Sequence, residues 1–329
     1  MPQKTTLYLI LSAVFIFGIA NISFASDEFK GIWAGIEVMG GDKKSSELVR
    51  KLIPLKTGTP FHYDKDQFKL WCDTVKEKVK AQDIHCAFIG YLEGDYYYNV
   101  EITPIGAKLM NFRVLPEFSG DIPQIPKELD KLFEQWDERF MTMIKIGKNP
   151  HEAYKDGYVD YQDPLLHNLV KKFVILVSKN NELLLKVIRY SPDPTQRAKA
   201  STLLSWSKNI ENIEYVLKWD LLNDPDEGVR NDLARALSFM FVDVKNKKTL
   251  RDSTAVFCRQ ATLPSHTDRN KALVSLQNIL LQHEDLDLAS NINEECRNTL
   301  TYISQMSVLP NAGGLAKNIL EIIEKSKNG

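Results

Sequence analysis

Apolar positions recur along this chain with three different periods, and the changes of period divide it. Leu7 to Ala20 is apolar without a charge. Ile36-Glu37-Val38-Met39 then alternates as a strand does, and so do Ile84 to Leu92 and Tyr96 to Ile102, with turns marked by Gly40-Gly41 and Gly94-Asp95. Between these strands the spacing is helical. Leu48, Leu52 and Ile53 mark one helix over Ser45 to Leu55, with Ser46 as cap. Phe68, Cys72, Val75 and Val79 mark a second, opened by Asp64 or Asp66 and ending near Ala81. The first part of the chain thus reads as β-α-α-β-β. Beyond Lys127 the period is helical throughout, so the chain as a whole is α+β and mostly α.

The apolar run at the start follows Lys4 and is followed by Ser23-Phe24-Ala25, small residues where a signal peptidase reads, and then by Asp27 and Glu28. This order predicts a secretory signal peptide over residues 1–25. The run is short for a membrane span, which needs about 20 residues; an uncleaved anchor is the alternative. No other long apolar segment follows, so no transmembrane span is expected after signal removal. The expected location is the periplasm or the exterior of a bacterium.

Pro116, Gly120, Pro123 and Pro126 break the chain into a linker over residues 116–150. Within it, Leu129, Leu132, Phe133, Trp136, Phe140 and Met143 lie on one face of a helix from Lys127 to Ile146. Apolar faces of that breadth are rarely left open, so the helix is expected to pack on a neighbour.

Residues 151–326 repeat. Pro192, Pro225 and Pro264 are each followed five residues on by an arginine (Arg197, Arg230, Arg269) and twelve residues on by a leucine (Leu204, Leu237, Leu276). Pro164, Leu169, Leu176 and Pro310, Leu315, Ile322 are degenerate copies without the arginine. The interval of roughly 30 to 45 residues is that of a helix-hairpin repeat, about five hairpins in all. Asp224-Pro225-Asp226-Glu227 reads as a helix start with Asp224 as cap and Pro225 in the first turn. The arginines lie on the packed face, so they are expected to bond carbonyls or an Asp between adjacent units (Asp193, Asp226 or Asp268); a cation ladder for an acidic partner is the other reading.

Two resemblances follow from these residues. Leu52-Ile53-Pro54-Leu55-Lys56-Thr57-Gly58-Thr59-Pro60-Phe61 between two helices, with the closing hairpin Ala87-Phe88-Ile89-Gly90 and Asn99-Val100-Glu101-Ile102, makes residues 28–115 resemble a POTRA domain. That resemblance implies a polypeptide-binding module that takes a partner strand on a sheet edge, here the strand carrying Ile84, Cys86, Phe88 and Leu92. The chain departs from the family in having one copy and no barrel. Asp224 to Leu237 resembles the second helix of a HEAT repeat, which implies a curved α-solenoid that binds other proteins along one surface.

The remaining chemistry narrows the function. Lys plus Arg number 42 and Asp plus Glu 43 among 329 residues, so the net charge of −1 supplies no basic face for nucleic acid. The six histidines, His62, His85, His151, His167, His266 and His283, show no metal spacing. No phosphate loop or nucleophile elbow appears, and no cofactor is expected. Tyr96-Tyr97-Tyr98 reads as a strand alternating between core and solvent. Cys72 lies on the helical stripe and Cys86 is in phase with Ile84 and Phe88, so both face one helix–sheet seam; an oxidising compartment favours a disulfide over two buried thiols. Cys258 and Cys296 fall on the first helices of neighbouring units, offset in depth, and form the second candidate pair. The expected function is an exported, non-catalytic scaffold or adaptor that binds a protein, itself membrane-associated or not, through the sheet edge, the solenoid surface or both. The alternative is an enzyme or enzyme subunit with its site in the solenoid groove.

Overall fold

The computed structural model describes residues 15–18, 31–91, 94–108, 110–283 and 285–327. The expected signal segment lies outside the described residues, apart from strand β1 (Phe15–Gly18). Next come β2 (Ile32–Met39), α1 (Lys43–Leu52), α2 (Lys65–Lys78), β3 (Asp83–Gly90) and β4 (Asp95–Thr103). The sheet order is β1-β3-β4-β2, with β2 parallel to β4 and the other neighbours antiparallel. Asp42 caps α1 by accepting from Ser45 N at 2.7 Å, in place of the expected Ser46. The helix therefore starts at Lys43. Asp64 caps α2 in the same way, through Gln67 N.

The sheet is buried on both faces, and this corrects the expectation of a solvent-facing side. Tyr96, Tyr98, Val100 and Ile102 point under α1 and α2, where they pack with Trp33, Phe68, Cys72 and Val75. The alternate residues of β4, Tyr97, Asn99, Glu101 and Thr103, are buried too, because that face lies on the helical array. A period of two normally separates core from water; here it separates two cores.

The chain then runs along the array. Arg113 N donates to Asn223 O, and α3 (Lys127–Lys145) lays Leu129, Leu132 and Trp136 against α4 (Pro164–Tyr190). Trp136 packs at 5.4 Å from Trp206, which stacks on Phe173. A small hairpin, β5 (Glu152–Lys155) and β6 (Tyr158–Tyr161), lies between α3 and α4 in sequence, and Trp206 Nε1 donates to Val159 O of β6.

The array continues with α5 (Pro194–Leu203), α6 (Glu211–Lys218), α7 (Glu227–Met240), α8 (Lys247–Gln260), α9 (His266–Gln282), α10 (Leu286–Met306) and α11 (Pro310–Lys327). Helices α5, α7, α9 and α11 pack successively in one layer, and α6, α8 and α10 follow one another in a second. Four helix hairpins result among the described residues, from α4/α5 to α10/α11. The helix opened by Pro164 is 27 residues long and packs on α3 before it and on α5 after it.

Helix α4 starts at Pro164 with Asp163 as its cap, but the three arginine-bearing helices start later than the reading of Asp224-Pro225 places them. Asp193, Asp226 and Ser265 are the caps, each accepting a backbone N–H of the first turn. Pro192, Pro225 and Pro264 each precede the cap. In consequence Arg197, Arg230 and Arg269 all occupy the fourth position of their helices.

Candidate functional site

These three arginines, together with the sheet they lead to, organise the molecule. Each guanidinium reaches back to the turn that opens its own helix. Nη1 donates to the carbonyl of the residue before the proline: Ser191 at 2.9 Å, Asp224 at 2.7 Å and Leu263 at 3.3 Å. Arg197 and Arg230 also reach forward to an acid of the next structural unit. Arg197 forks onto Asp224 through Nε at 3.0 Å and Nη2 at 2.8 Å. Arg230 forks onto Asp268 at 2.9 and 2.7 Å. Arg269 finds no acid in the last hairpin and forks onto Glu101 of β4. All three side chains are 5 % exposed or less. The cations are therefore consumed in buried, bidentate pairs, and no exposed ladder for an acidic partner exists at these positions.

Of the acids anticipated from sequence, only Asp268 takes an arginine. Asp193 and Asp226 are engaged as caps, which leaves Asp224 to receive Arg197. Asp224 also receives Arg113, which lies just before the linker and donates through its two terminal nitrogens to Ile188 O and Arg189 O as well. No periodic signal marks Arg113 or Glu101, since neither belongs to the repeat.

Glu37 completes the junction between sheet and array. Its carboxylate, fully buried on β2, accepts from Val308 N at 2.9 Å, Leu309 N at 3.1 Å and the Ser307 hydroxyl at 2.9 Å. It thus ties the turn that precedes α11 to the sheet, satisfying the backbone N–H groups of Val308 and Leu309. Burial raises its pKa, and the Arg269 guanidinium 3.8 Å away opposes the shift.

The strand predicted as a partner edge is β3. Ile84, Cys86 and Phe88 point under the helices and are buried, so only the backbone is presented at the edge. Leu92 lies outside the described residues. Along the outer side of β3, β1 pairs antiparallel in the register Phe15↔Gly90, Ile16↔Ile89, Phe17↔Phe88 and Gly18↔Ala87. Cys72 and Cys86 are joined by a disulfide with Cα atoms 5.9 Å apart, tying α2 to β3 directly beneath this edge. Cys258 and Cys296 are likewise joined and tie α8 to α10. Disulfides are the mark of chains that mature in an oxidising compartment.

Titratable groups gather at a second place, where β5 and β6 meet α7 and α9. Arg235 pairs with Glu152, and Asp232 accepts from Asn231 at 2.9 Å. Burial pushes the Lys271 amine down to about 8 and raises the Asp232 carboxyl. Among the histidines, His167 bonds Asp160 at 2.8 Å and His283 Nε2 lies 2.7 Å from Phe241 O, while His266 is buried in the first turn of α9. Burial and then the Arg269 and Lys271 charges lower the pKa of the His266 ring, and among the described residues no group of His, Cys, Asp or Glu has the arrangement of a metal site. Among the described residues, too, no helix is long and apolar enough to cross a membrane.

No protein-family model matches this sequence, and no curated protein matches it.

Proposed function

We propose that this protein is an exported, non-catalytic scaffold that binds another protein by accepting a strand on the outer edge of β3, with the helical array as a rigid backing. The observation that carries this reading is the β1–β3 pairing itself: the edge takes an antiparallel strand from residues that signal cleavage would remove. Strand addition is a general recognition mode in which backbone hydrogen bonds give affinity. An edge left open is also a liability that most folds cover. The POTRA-like order of elements and the HEAT-like helix hairpins support the same reading, since both are architectures used to hold polypeptides. Location in the periplasm or outside the cell belongs to this proposal.

The test uses the mature chain from residue 26 and a synthetic peptide spanning residues 13–20. Hydrogen exchange at those amides of Ala87–Gly90 that point away from β4, toward the outer edge, should be fast in the mature chain and slowed when the peptide is added. Affinity capture from the native envelope should then yield a protein that the same peptide displaces. Exchange at the edge-facing amides of Ala87–Gly90 that is slow without peptide, or unaffected by it, overturns the reading.

One observation favours a different class. Lys271 and Asp232 have pKa values displaced toward neutrality, as a general acid–base pair requires. The alternative of an enzyme with its site on the array rests on this cluster. Turnover of simple ester, amide or glycoside substrates that is lost in Lys271→Met and kept in Lys199→Met carries it; absence of turnover removes it.

A further inference from the structure

The junction between sheet and array encloses an open cleft of about 690 Å³, within the roughly 300–1,000 Å³ typical of small-molecule sites. Its walls come from three parts of the chain that are distant in sequence. Met39 and Ile102 contribute from the sheet, Pro104 and Ala107 from the segment that leaves it, and Leu263 and Ile303 from the array. These walls are mainly apolar. One end is held by a bond from Gly40 N to Tyr302 Oη at 2.8 Å. Gly40 has φ +84°, and a Cβ there would stand 2.1 Å from Ile102 O, so only glycine lets the chain turn into this position.

The charges of the cleft are unequally matched. Glu101 is the one carboxylate among its lining residues, and Arg269 neutralises it by the fork already described. Lys108 and Arg259 also line the cleft, both exposed, and neither has an ion-pair partner among the described residues. An apolar interior beneath Lys108 and Arg259, with its own carboxylate already paired, is complementary to a molecule with an apolar body and one anionic end.

We infer that this cleft binds an amphipathic anion, a fatty acyl chain ending in a carboxylate, with the chain against Met39, Ile102, Leu263 and Ile303 and the carboxylate at Lys108 and Arg259. The cleft shares no lining residue with the β3 edge, so this site stands or falls separately from strand addition.

Calorimetric titration of the mature full chain with octanoate, decanoate and dodecanoate tests it. Binding should be saturable at one site, and affinity should rise about threefold to fourfold per methylene, as burial of an alkyl chain predicts. Lys108→Gln and Arg259→Gln lie on the surface and leave the core intact; each should weaken dodecanoate by about threefold to fivefold, the range of exposed charge pairs. Ala107→Trp, which fills the cleft from its exposed side, should abolish binding while the circular dichroism spectrum is unchanged. Dodecyltrimethylammonium binding as tightly as dodecanoate overturns the anionic specificity. No saturable binding of any chain length overturns the site, as does a peptide with an apolar C-terminal residue binding more tightly than every acyl chain.

Discussion

Arg269 of α9 places Nη1 2.8 Å from the carboxylate of Glu101 on β4, across 168 residues of chain, and both side chains are buried. Arg197 and Arg230 pass the same fork from one hairpin to the next; this last one passes it from the array to the sheet. The contact joins the two halves of the molecule through a buried pair, in which the cost of desolvating both charges offsets much of their attraction.

Removing one member should therefore be costly and removing both mild. Glu101→Gln leaves a buried guanidinium with only Glu37 near it, and should lower unfolding free energy by about 3 kcal/mol. Arg269→Met combined with Glu101→Leu should lie within about 1–2 kcal/mol of the wild type. Urea midpoints of the three proteins measure this, and equal losses for the single and double changes contradict it.

The disulfides should act through the unfolded chain. Cys72 and Cys86 are 14 residues apart and Cys258 and Cys296 are 38 apart; chain entropy assigns them about 3 and about 4 kcal/mol. Cys72→Ser should lower the urea midpoint in oxidising buffer and leave it unchanged, relative to wild type, under reduction. Equal midpoints in oxidising buffer would show that the bond contributes nothing.

His266 should make the fold acid-sensitive. It is 2 % exposed, neither ring nitrogen has a partner among the described residues, and burial with the nearby Arg269 holds its pKa well below 6.5. The unfolded chain then binds a proton that the folded chain refuses. Stability from this group is complete above pH 6.5 and falls on acidification below it, by about 1.4 kcal/mol per pH unit. His266→Asn should remove that increment of slope between pH 6.5 and 5.5 in urea titrations followed by fluorescence; an unchanged slope counts against burial of a neutral ring.

The linker and the residues just before it belong to the array physically. Arg113 bonds Asp224, Ile188 O and Arg189 O, and α3 buries Leu129, Leu132 and Trp136. A fragment from residue 111 to the C-terminus should be more stable than one from residue 151 by about 5 kcal/mol, given roughly 1.5–3 kcal/mol for each large apolar side chain buried. Thermal melts of the two fragments decide this, and matching transitions would mean that α3 packs without stabilising.

Local chemistry was enough to determine the class of fold. The alternation over Ile36–Met39 and Tyr96–Ile102, the stripe Phe68-Cys72-Val75-Val79 and the Pro-Arg-Leu repeat each reflect a constraint between residues near in sequence, where period and capping decide the outcome. Even there, capping was misplaced wherever two acids competed: Asp224 and Asp226 flank the same proline, and only packing shows that Asp226 caps while Asp224 is needed by Arg197 and Arg113. What neighbouring residues do not encode is which surfaces meet. Tyr97, Asn99 and Glu101 have the spacing of a solvent face and become a second core because the array covers them. Glu37 holds the turn that leads into the helix beginning at Pro310, and the cleft is walled by segments from Met39 to Ile303. Burial of a charge is favourable only when a partner is brought to it, and for Glu37, Glu101 and Arg269 that partner is supplied by the tertiary structure alone.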